Sequence, residues 1–162
     1  MKVIMTVNGG QIEAEVPDRT LLVDFLRDVA GLTAANVGCD TSSCGACTVL
    51  LDGQSVKSCT VLAAQADGRA VVTVEGLASG PEEMHPMQRA FRAEHALQCG
   101  FCTPGFLMLA EAYLAERASA DGLTEAEARE LVASNLCRCT GYQGIVEAVL
   151  ATARSRRRAA GP

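Results

Sequence analysis

The chain contains eight cysteines, which are its most reactive side chains, and they form two groups of four. The first group lies within residues 39–59, whereas the second is divided between a CGFC segment and a CRC segment. The members of the two groups are Cys39, Cys44, Cys47 and Cys59, followed by Cys99, Cys102, Cys137 and Cys139. Four thiols could form two disulfides, bind a zinc ion or hold an iron–sulfur cluster, so their surroundings must discriminate between three chemistries.

The N-terminal segment of the chain argues against disulfides. The N-terminal segment MKVIMTVNGGQIEAEV contains neither the apolar region nor the cleavage site of a secretory signal. We therefore expect a cytoplasmic protein, in which thiols stay reduced.

No run approaches the roughly eighteen apolar residues of a membrane span, so none is expected. The net charge of −5 gives no reason to expect nucleic acid as a partner.

The first group has the C-x4-C-x2-C spacing of plant-type [2Fe–2S] sites, followed by a fourth cysteine, Cys59, after eleven residues. Gly38, Gly45 and small residues between the thiols would let the loop wrap tightly and direct backbone N–H groups at sulfur. Such donors stabilise the reduced cluster and tune its potential. An Asp-Gly pair at 52–53 predicts a hairpin turn that would return Cys59 toward the loop.

Zinc is the alternative metal, because each group contains one C-x-x-C pair. Structural zinc sites usually combine two such short pairs, whereas each group here joins one pair to a different remainder. The spacing therefore favours iron–sulfur chemistry and leaves zinc as the alternative. For the second group the spacing discriminates less, and the prediction depends on whether two turns can bring its four thiols together.

The first half of the chain has the pattern of strands around one helix. Residues 11–16, QIEAEV, alternate strictly between polar and apolar types, and an Asn-Gly turn at 8–9 separates them from the β-rich KVIMTV. A second hairpin turns at 52–53, and AVVTVEG is a last short strand. Between the hairpins, apolar residues at helical spacing over 21–29, with Gly31 as a cap, predict a helix. Together these elements predict a β-grasp sheet.

The second half, after a Gly-Pro linker at 78–83, has the pattern of four amphipathic helices. The first is predicted from Pro86 to Leu97, and the others begin after an N-cap at Thr103, at a Thr124–Glu127 capping box and near Tyr142. Such helices form a compact bundle, in which the turns carrying CGFC and CRC could lie at the same end.

The predicted fold class is therefore α+β with two domains. Residues 1–77 form the β-grasp domain and residues 78–156 form the four-helix bundle. Residues 157–162 are predicted as a basic tail, which continues an arginine cluster at 154–158. We expect this cluster to be solvated and frayed, with docking onto an acidic partner or a membrane surface as the alternative.

Three segments of the sequence carry a family resemblance. GCDTSSCGACTVLLDGQSVKSC, then LQCGFCTPGFLM and NLCRCTGYQGI, resemble the small iron–sulfur subunits of molybdenum hydroxylases, the xanthine dehydrogenase family. The resemblance covers about residues 2–151, and all eight of the family's ligand positions are cysteine here. Within the family, the first segment is most similar to the small subunit of aerobic carbon monoxide dehydrogenases, so carbon monoxide is the first expected substrate of the complex and N-heterocycles are the second. Bacterial dehydrogenases of nicotine, quinoline, nicotinate, caffeine and aldehydes share most of it.

The resemblance implies an electron-transfer role that spacing alone does not. It implies a plant-type ferredoxin-like domain and a helical [2Fe–2S]-binding domain, each with one cluster. Electrons would pass from molybdenum and molybdopterin, in its cytosine dinucleotide form, on a large subunit through both clusters to FAD on a medium subunit. The implied assembly is a dimer of heterotrimers. The resemblance also places Gln98 and Cys139 close to the pterin, although a glutamine at a helix end would otherwise be expected to cap its own backbone.

The remaining candidate residues have no predicted role in catalysis. The chain has no G-x-G-x-x-G after a strand, so substrate chemistry is expected on another subunit. His85 and His95 are expected at the surface or satisfied within helices, and Arg138 would either offset cluster charge or face solvent. Two other functions would use the same cysteines: a free-standing ferredoxin-like shuttle and a zinc-stabilised interaction module.

Overall fold

A computed structural model describes residues 1–78, 80, 83–117 and 122–160 of the chain. Its first half is a five-stranded mixed sheet with the strand order β2-β1-β5-β3-β4, in which β1 runs parallel to β5 and the other neighbours are antiparallel. The strands are β1 (Lys2–Val7), β2 (Gly10–Glu15), β3 (Thr48–Leu51), β4 (Gln54–Lys57) and β5 (Ala70–Val72). The two predicted hairpins and the α+β class are confirmed.

A helical segment covers one face of the sheet. It begins as α1 (Leu22–Asp24) and continues as a π-helical turn over Phe25–Val29. The Ala30 N–H donates to the Phe25 carbonyl, five residues back, and Gly31 (φ 70°) ends the segment. Its apolar side chains pack on those of β1 in one core, and each fully buried side chain contributes about 1.5–3 kcal/mol. The predicted helix is confirmed, although its second half is wider than an α-helix.

Four helices follow, in the predicted order. They are α2 (Pro86–Ala93), α3 (Thr103–Glu116), α4 (Glu125–Val132) and α5 (Gln143–Ala160), and they share a second core. The first is shorter than predicted: it ends at Ala93 rather than Leu97, because His95 takes a left-handed conformation (φ 51°). Thr103, predicted as the N-cap of α3, is instead its first helical residue.

The ends of α4 and α5 test two sequence predictions. The capping box is confirmed, since Thr124 N–H donates to the Glu127 carboxylate at 2.9 Å and Glu127 N–H donates to the Thr124 hydroxyl at 3.3 Å. The predicted frayed tail needs correction, because α5 continues to Ala160. Arg156, within this helix, pairs with both oxygens of Glu111 on α3 at 2.5 and 2.6 Å. Residues 161–162 lie outside the described residues.

The predicted linker at 78–83 falls in the connection between β5 and α2, and its residues 79, 81 and 82 lie outside the described residues. A small third core joins the two halves of the chain, since Leu50 of β3 packs with Met108 and Ala112 of α3. The helices therefore pack on the sheet through α3. In the part of the chain that the structure describes, no helix is both long enough and apolar enough to span a bilayer.

His85 predicts a pH dependence of stability. Burial lowers its pKa, the Glu111 carboxylate acts in the opposite sense, and the Arg156 and Arg89 guanidinium groups lower it further. The native state therefore binds fewer protons than the unfolded state below the unfolded pKa of about 6.5, so stability falls as the pH falls through this value. We expect the wild-type urea midpoint to decrease between about pH 7.5 and about pH 5.5, and the decrease to be smaller in His85→Asn.

Asparagine can still accept the Met87 N–H that His85 Nδ1 accepts at 3.3 Å, so the N-cap of α2 is kept in this variant. The matched control is His95→Asn, because His95 is exposed and asparagine tolerates its left-handed backbone. An undiminished pH dependence in His85→Asn would refute this assignment.

Candidate metal centres

The first group of cysteines lies on a loop that leads into β3 and on the turn that follows β4. Cys44 and Cys47 are buried, whereas Cys39 and Cys59 are partly exposed. The hairpin brings Cys59 back, because it lies in the 3-10 turn after β4 (Ser58–Thr60). Ser58 fixes this turn to the loop by donating to the Cys47 carbonyl, from its hydroxyl at 2.7 Å and its N–H at 3.3 Å. The return predicted from the Asp-Gly turn is therefore the observed geometry.

Backbone N–H groups of the loop point at sulfur. Left-handed conformations at Ser42 (φ 61°) and Gly45 (φ 69°) curl the chain, and Cys44 N–H lies 3.4 Å from Cys39 Sγ. This bond, helped by the N–H groups of neighbouring loop residues, lowers the pKa of Cys39 to about 6. The loop thus favours the thiolate, the form of cysteine that binds metals.

The four thiols of the first group also affect one another. Burial raises the pKa of Cys59 to about 11, and the neighbouring Cys47, Cys39 and Cys44 thiols raise it further. Burial likewise raises the pKa of Cys44. Several thiolates at this place are costly without a compensating positive charge. The donor set therefore fits a bound metal centre, which would supply that charge.

The second group comes together from two separate turns. Cys99 and Cys102 lie between α2 and α3, and Cys137 and Cys139 lie between α4 and α5. The Sγ atoms of Cys99 and Cys139 are 3.5 Å apart, and both residues are exposed. Burial raises the pKa of Cys102 to about 12, and the Cys137 thiol raises it further. The two turns do lie at the same end of the bundle.

Hydrogen bonds fix the CRC turn around Cys137. The Thr140 hydroxyl lies 3.1 Å from Cys137 Sγ, and the Thr140 N–H lies 3.5 Å from it. The Tyr142 hydroxyl accepts the Cys137 N–H at 2.9 Å. On the other turn, the Phe101 N–H lowers the pKa of Cys99. Both turns therefore direct donors at sulfur, as the loop of the first group does.

Among the described residues, no three Cys, His, Asp or Glu side chains converge closely enough to hold a single metal ion. A [2Fe–2S] cluster does not require such convergence, because it divides its four thiolates between two irons. Its ligands are therefore spread more widely than those of tetrahedral zinc. Both groups have the all-thiolate donor set of a [2Fe–2S] cluster.

The two cysteine groups are connected by hydrogen bonds between their loops. Leu136 N–H donates to the Cys44 carbonyl at 2.8 Å, and the Asn135 side-chain amide donates to the Gly45 carbonyl at 3.2 Å. A third bond runs from the Asn36 side chain to the carbonyl of residue 101 at 2.8 Å. Spacing did not predict these contacts. Their one local signal is an asparagine just before the CRC segment, and an asparagine there is equally typical of a helix end.

Other residues with predicted roles lie as follows. Gln98 is exposed next to Cys99, well beyond the end of α2, so the helix-end role does not apply to it. Arg138 is exposed on the CRC turn. His85 caps α2 and His95 is exposed, as expected for histidines that are not ligands.

Comparisons with known proteins match both halves of the chain. The family model described as "2Fe-2S iron-sulfur cluster binding domain" matches residues 5–77. The family model described as "[2Fe-2S] binding domain" matches residues 73–150. The two models therefore divide the chain into a sheet part and a helical part, each with one cysteine group.

Several relatives are similar over most of their length. Caffeine dehydrogenase subunit gamma of Pseudomonas sp. (strain CBB1) is 50% identical, over 90% of this chain and 86% of its own. The small subunit of nicotine 6-hydroxylase from Paenarthrobacter nicotinovorans is 49% identical, over 93% and 88%. A chain of quinoline 2-oxidoreductase from Pseudomonas putida 86 superimposes with a TM-score of 0.90 at 45% identity, covering 98% of this chain and 96% of that one.

Proposed function

Because this chain belongs to the family of small iron–sulfur subunits of molybdenum hydroxylases, we propose that it relays electrons through two [2Fe–2S] clusters. Cys39, Cys44, Cys47 and Cys59 hold one cluster, and Cys99, Cys102, Cys137 and Cys139 hold the other. Each cluster, when bound, accepts and passes on one electron at a time. The chain's own residues hold the thiolates, direct N–H groups at them and keep the two sites in contact.

The observation that carries this proposal is the direct connection between the sites. The Cys44 carbonyl accepts the N–H of Leu136, and Leu136 is bonded to Cys137. A ligand of one site is thus joined to a ligand of the other by covalent bonds and one hydrogen bond of 2.8 Å. Two independent metal sites that only stabilised their domains would not need this connection. An electron relay needs its two clusters close together, and this connection keeps the loops that would hold them in contact.

Exposed apolar side chains suggest where partner subunits bind. Val37, Leu97, Phe101 and Leu136 are exposed, and each lies within two residues of a cysteine. Cys99 and Cys139 are also exposed, so the second site would be open to water in the isolated chain. Large exposed apolar patches mark interaction sites. We propose that a large molybdopterin-binding subunit covers the second site, with Gln98 and Cys139 nearest the pterin.

The rest of the assembly follows from the same family resemblance. A medium FAD-binding subunit would receive electrons from the first cluster, and the complex would be a dimer of heterotrimers. We propose the cytosine dinucleotide form of the molybdopterin. All substrate chemistry takes place on the large subunit, so the chain itself is a non-catalytic part of an oxidoreductase.

For the substrate we propose an N-heterocycle. The first cysteine segment of the sequence, by itself, predicts carbon monoxide as the substrate, with N-heterocycles second. The relatives described above are named for caffeine, nicotine and quinoline, and this supports the second class. Carbon monoxide and aldehydes remain the alternatives that an assay must include.

The test is purification of the complex through a tag on this chain. We expect a brown preparation with about four irons per chain, two distinct EPR signals after reduction and co-purifying larger subunits. Reduction of the complex by caffeine, nicotine or quinoline, but not by carbon monoxide, would support the substrate class. Colourless protein containing zinc would refute the relay, and a brown chain that purifies without partners would favour a free-standing shuttle.

A further inference from the structure

One buried amide takes part in the contact between the two cysteine loops. Asn135 is 3% exposed, and its Nδ2 donates to the carbonyl of Gly45 at 3.2 Å. Gly45 lies inside the C-x-x-C pair of the first group, and Asn135 lies two residues before Cys137 of the second. A buried amide is costly unless its hydrogen bonds are made. The pairing therefore fixes one loop against the other at a defined place.

The shapes of the two residues are matched. A Cβ atom on residue 45 would overlap the Oδ1 and Cγ atoms of Asn135, so the amide occupies the space left by the missing side chain. The next residue, Leu136, donates its N–H to the Cys44 carbonyl. Residues 135 and 136 thus bind two successive carbonyls of the first loop, and one of these belongs to a cysteine.

The Gly45 carbonyl has further donors within its own loop. Thr48 donates to it from its hydroxyl at 2.7 Å and from its N–H at 3.2 Å. The first loop would therefore keep its shape, and the carbonyl its hydrogen bonds, without Asn135. Loss of the Asn135 amide would instead loosen the contact between the loops. The amide thus contributes mainly to the position of one site relative to the other.

We propose that Asn135 is a positioning residue for electron transfer between the two clusters, an inference that rests on the proposed function. Its amide keeps the Leu136 N–H against the Cys44 carbonyl and so keeps the connection between the sites short. Without the amide, the hydrogen bond lengthens and the electronic coupling along the connection falls. The cysteines and their N–H donors are not altered.

The test variant is Asn135→Leu, which keeps the branched shape of the side chain, removes the donor and adds no charge. In the full chain with both clusters, we expect a several-fold slower redistribution of electrons between clusters after rapid partial reduction. We also expect a weaker magnetic interaction between the two reduced clusters in EPR spectra. Both midpoint potentials should match those of the wild type, because no ligand and no charge has changed.

The control is Thr152→Val, which makes the same polar-to-apolar change at a buried side chain of α5 that bonds to the carbonyl of residue 148 and to Met87, not to either loop. We expect this control to behave as the wild type. An iron-replete Asn135→Leu chain with an unchanged rate and unchanged magnetic interaction would overturn the inference, as would an equal effect in the control. If Asn135→Leu does not retain its iron, Asn135→Ser, which is too short to reach the Gly45 carbonyl, decides by the same measurements.

The two proposals fail in different ways. A wild-type chain without two reducible clusters would refute the relay itself. A wild-type chain with both clusters, together with a variant that transfers electrons as fast, would refute only the role of Asn135.

Discussion

Replacement of Cys47 by serine is expected to remove the first cluster and leave the second in place. Cys47 is 2% exposed, so neither water nor another side chain can readily take its position. A serine hydroxyl is a hard ligand that replaces thiolate poorly at an iron–sulfur site. The iron content should fall from about four to about two per chain, and one of the two EPR signals should disappear.

Cys102→Ser is the reciprocal change and should remove only the second cluster. The two sites belong to separate cores, one around the sheet and one among the helices, so loss of one cluster need not unfold the other domain. Either variant interrupts the relay, so substrate-dependent reduction of the acceptor should stop in both complexes.

The control for both cysteine variants is Ser43→Ala, in the same loop as Cys44 but exposed. It should keep both clusters and wild-type turnover. Full iron content and full activity in Cys47→Ser or Cys102→Ser would show that the ligand assignment is wrong.

The sequence predicted those parts of the fold that depend on neighbouring residues. The two hairpins follow from Asn-Gly and Asp-Gly pairs, whose left-handed conformations are observed at residues 8–9 and 52–53. The start of α4 follows from the capping box at Thr124 and Glu127. In each case the signal and the structure that it specifies lie within a few residues of each other, so a local pattern is sufficient.

What the sequence did not predict depends on residues that are far apart. The hydrogen bond between Asn135 and Gly45 joins positions ninety residues apart, and no spacing rule connects them. Composition alone predicts that the arginine cluster is a frayed tail. Arg156 instead pairs with Glu111 on another helix, and the side chain of Glu111 is only 16% exposed. A local pattern shows which residues can form a helix, but not which residue of another helix will hold its last turns in place.

The same distinction gives opposite predictions for Gly105→Ala. Gly105 lies in the first turn of α3, where helix propensity alone predicts that alanine stabilises by about 1 kcal/mol. The structure predicts the reverse, because a Cβ atom on residue 105 would overlap the carbonyl oxygen of Gly45 and come within 3.1 Å of the Ala46 Cα. These are backbone atoms of the first cysteine loop, so no side-chain rotation can relieve the overlap. Overpacking typically costs about 1–3 kcal/mol, and an overlap with a backbone atom lies toward the upper end of that range, so after the propensity gain we expect a net destabilisation of up to about 2 kcal/mol.

The measurement is the urea midpoint of Gly105→Ala against that of Gly10→Ala. Gly10 is a matched control because a Cβ atom there would meet only the Val7 carbonyl oxygen, at an ordinary contact distance of 3.6 Å. We expect the control midpoint to stay close to the wild type and the Gly105→Ala midpoint to fall. A rise in Gly105→Ala, as propensity predicts, would mean that α3 does not press against the first loop.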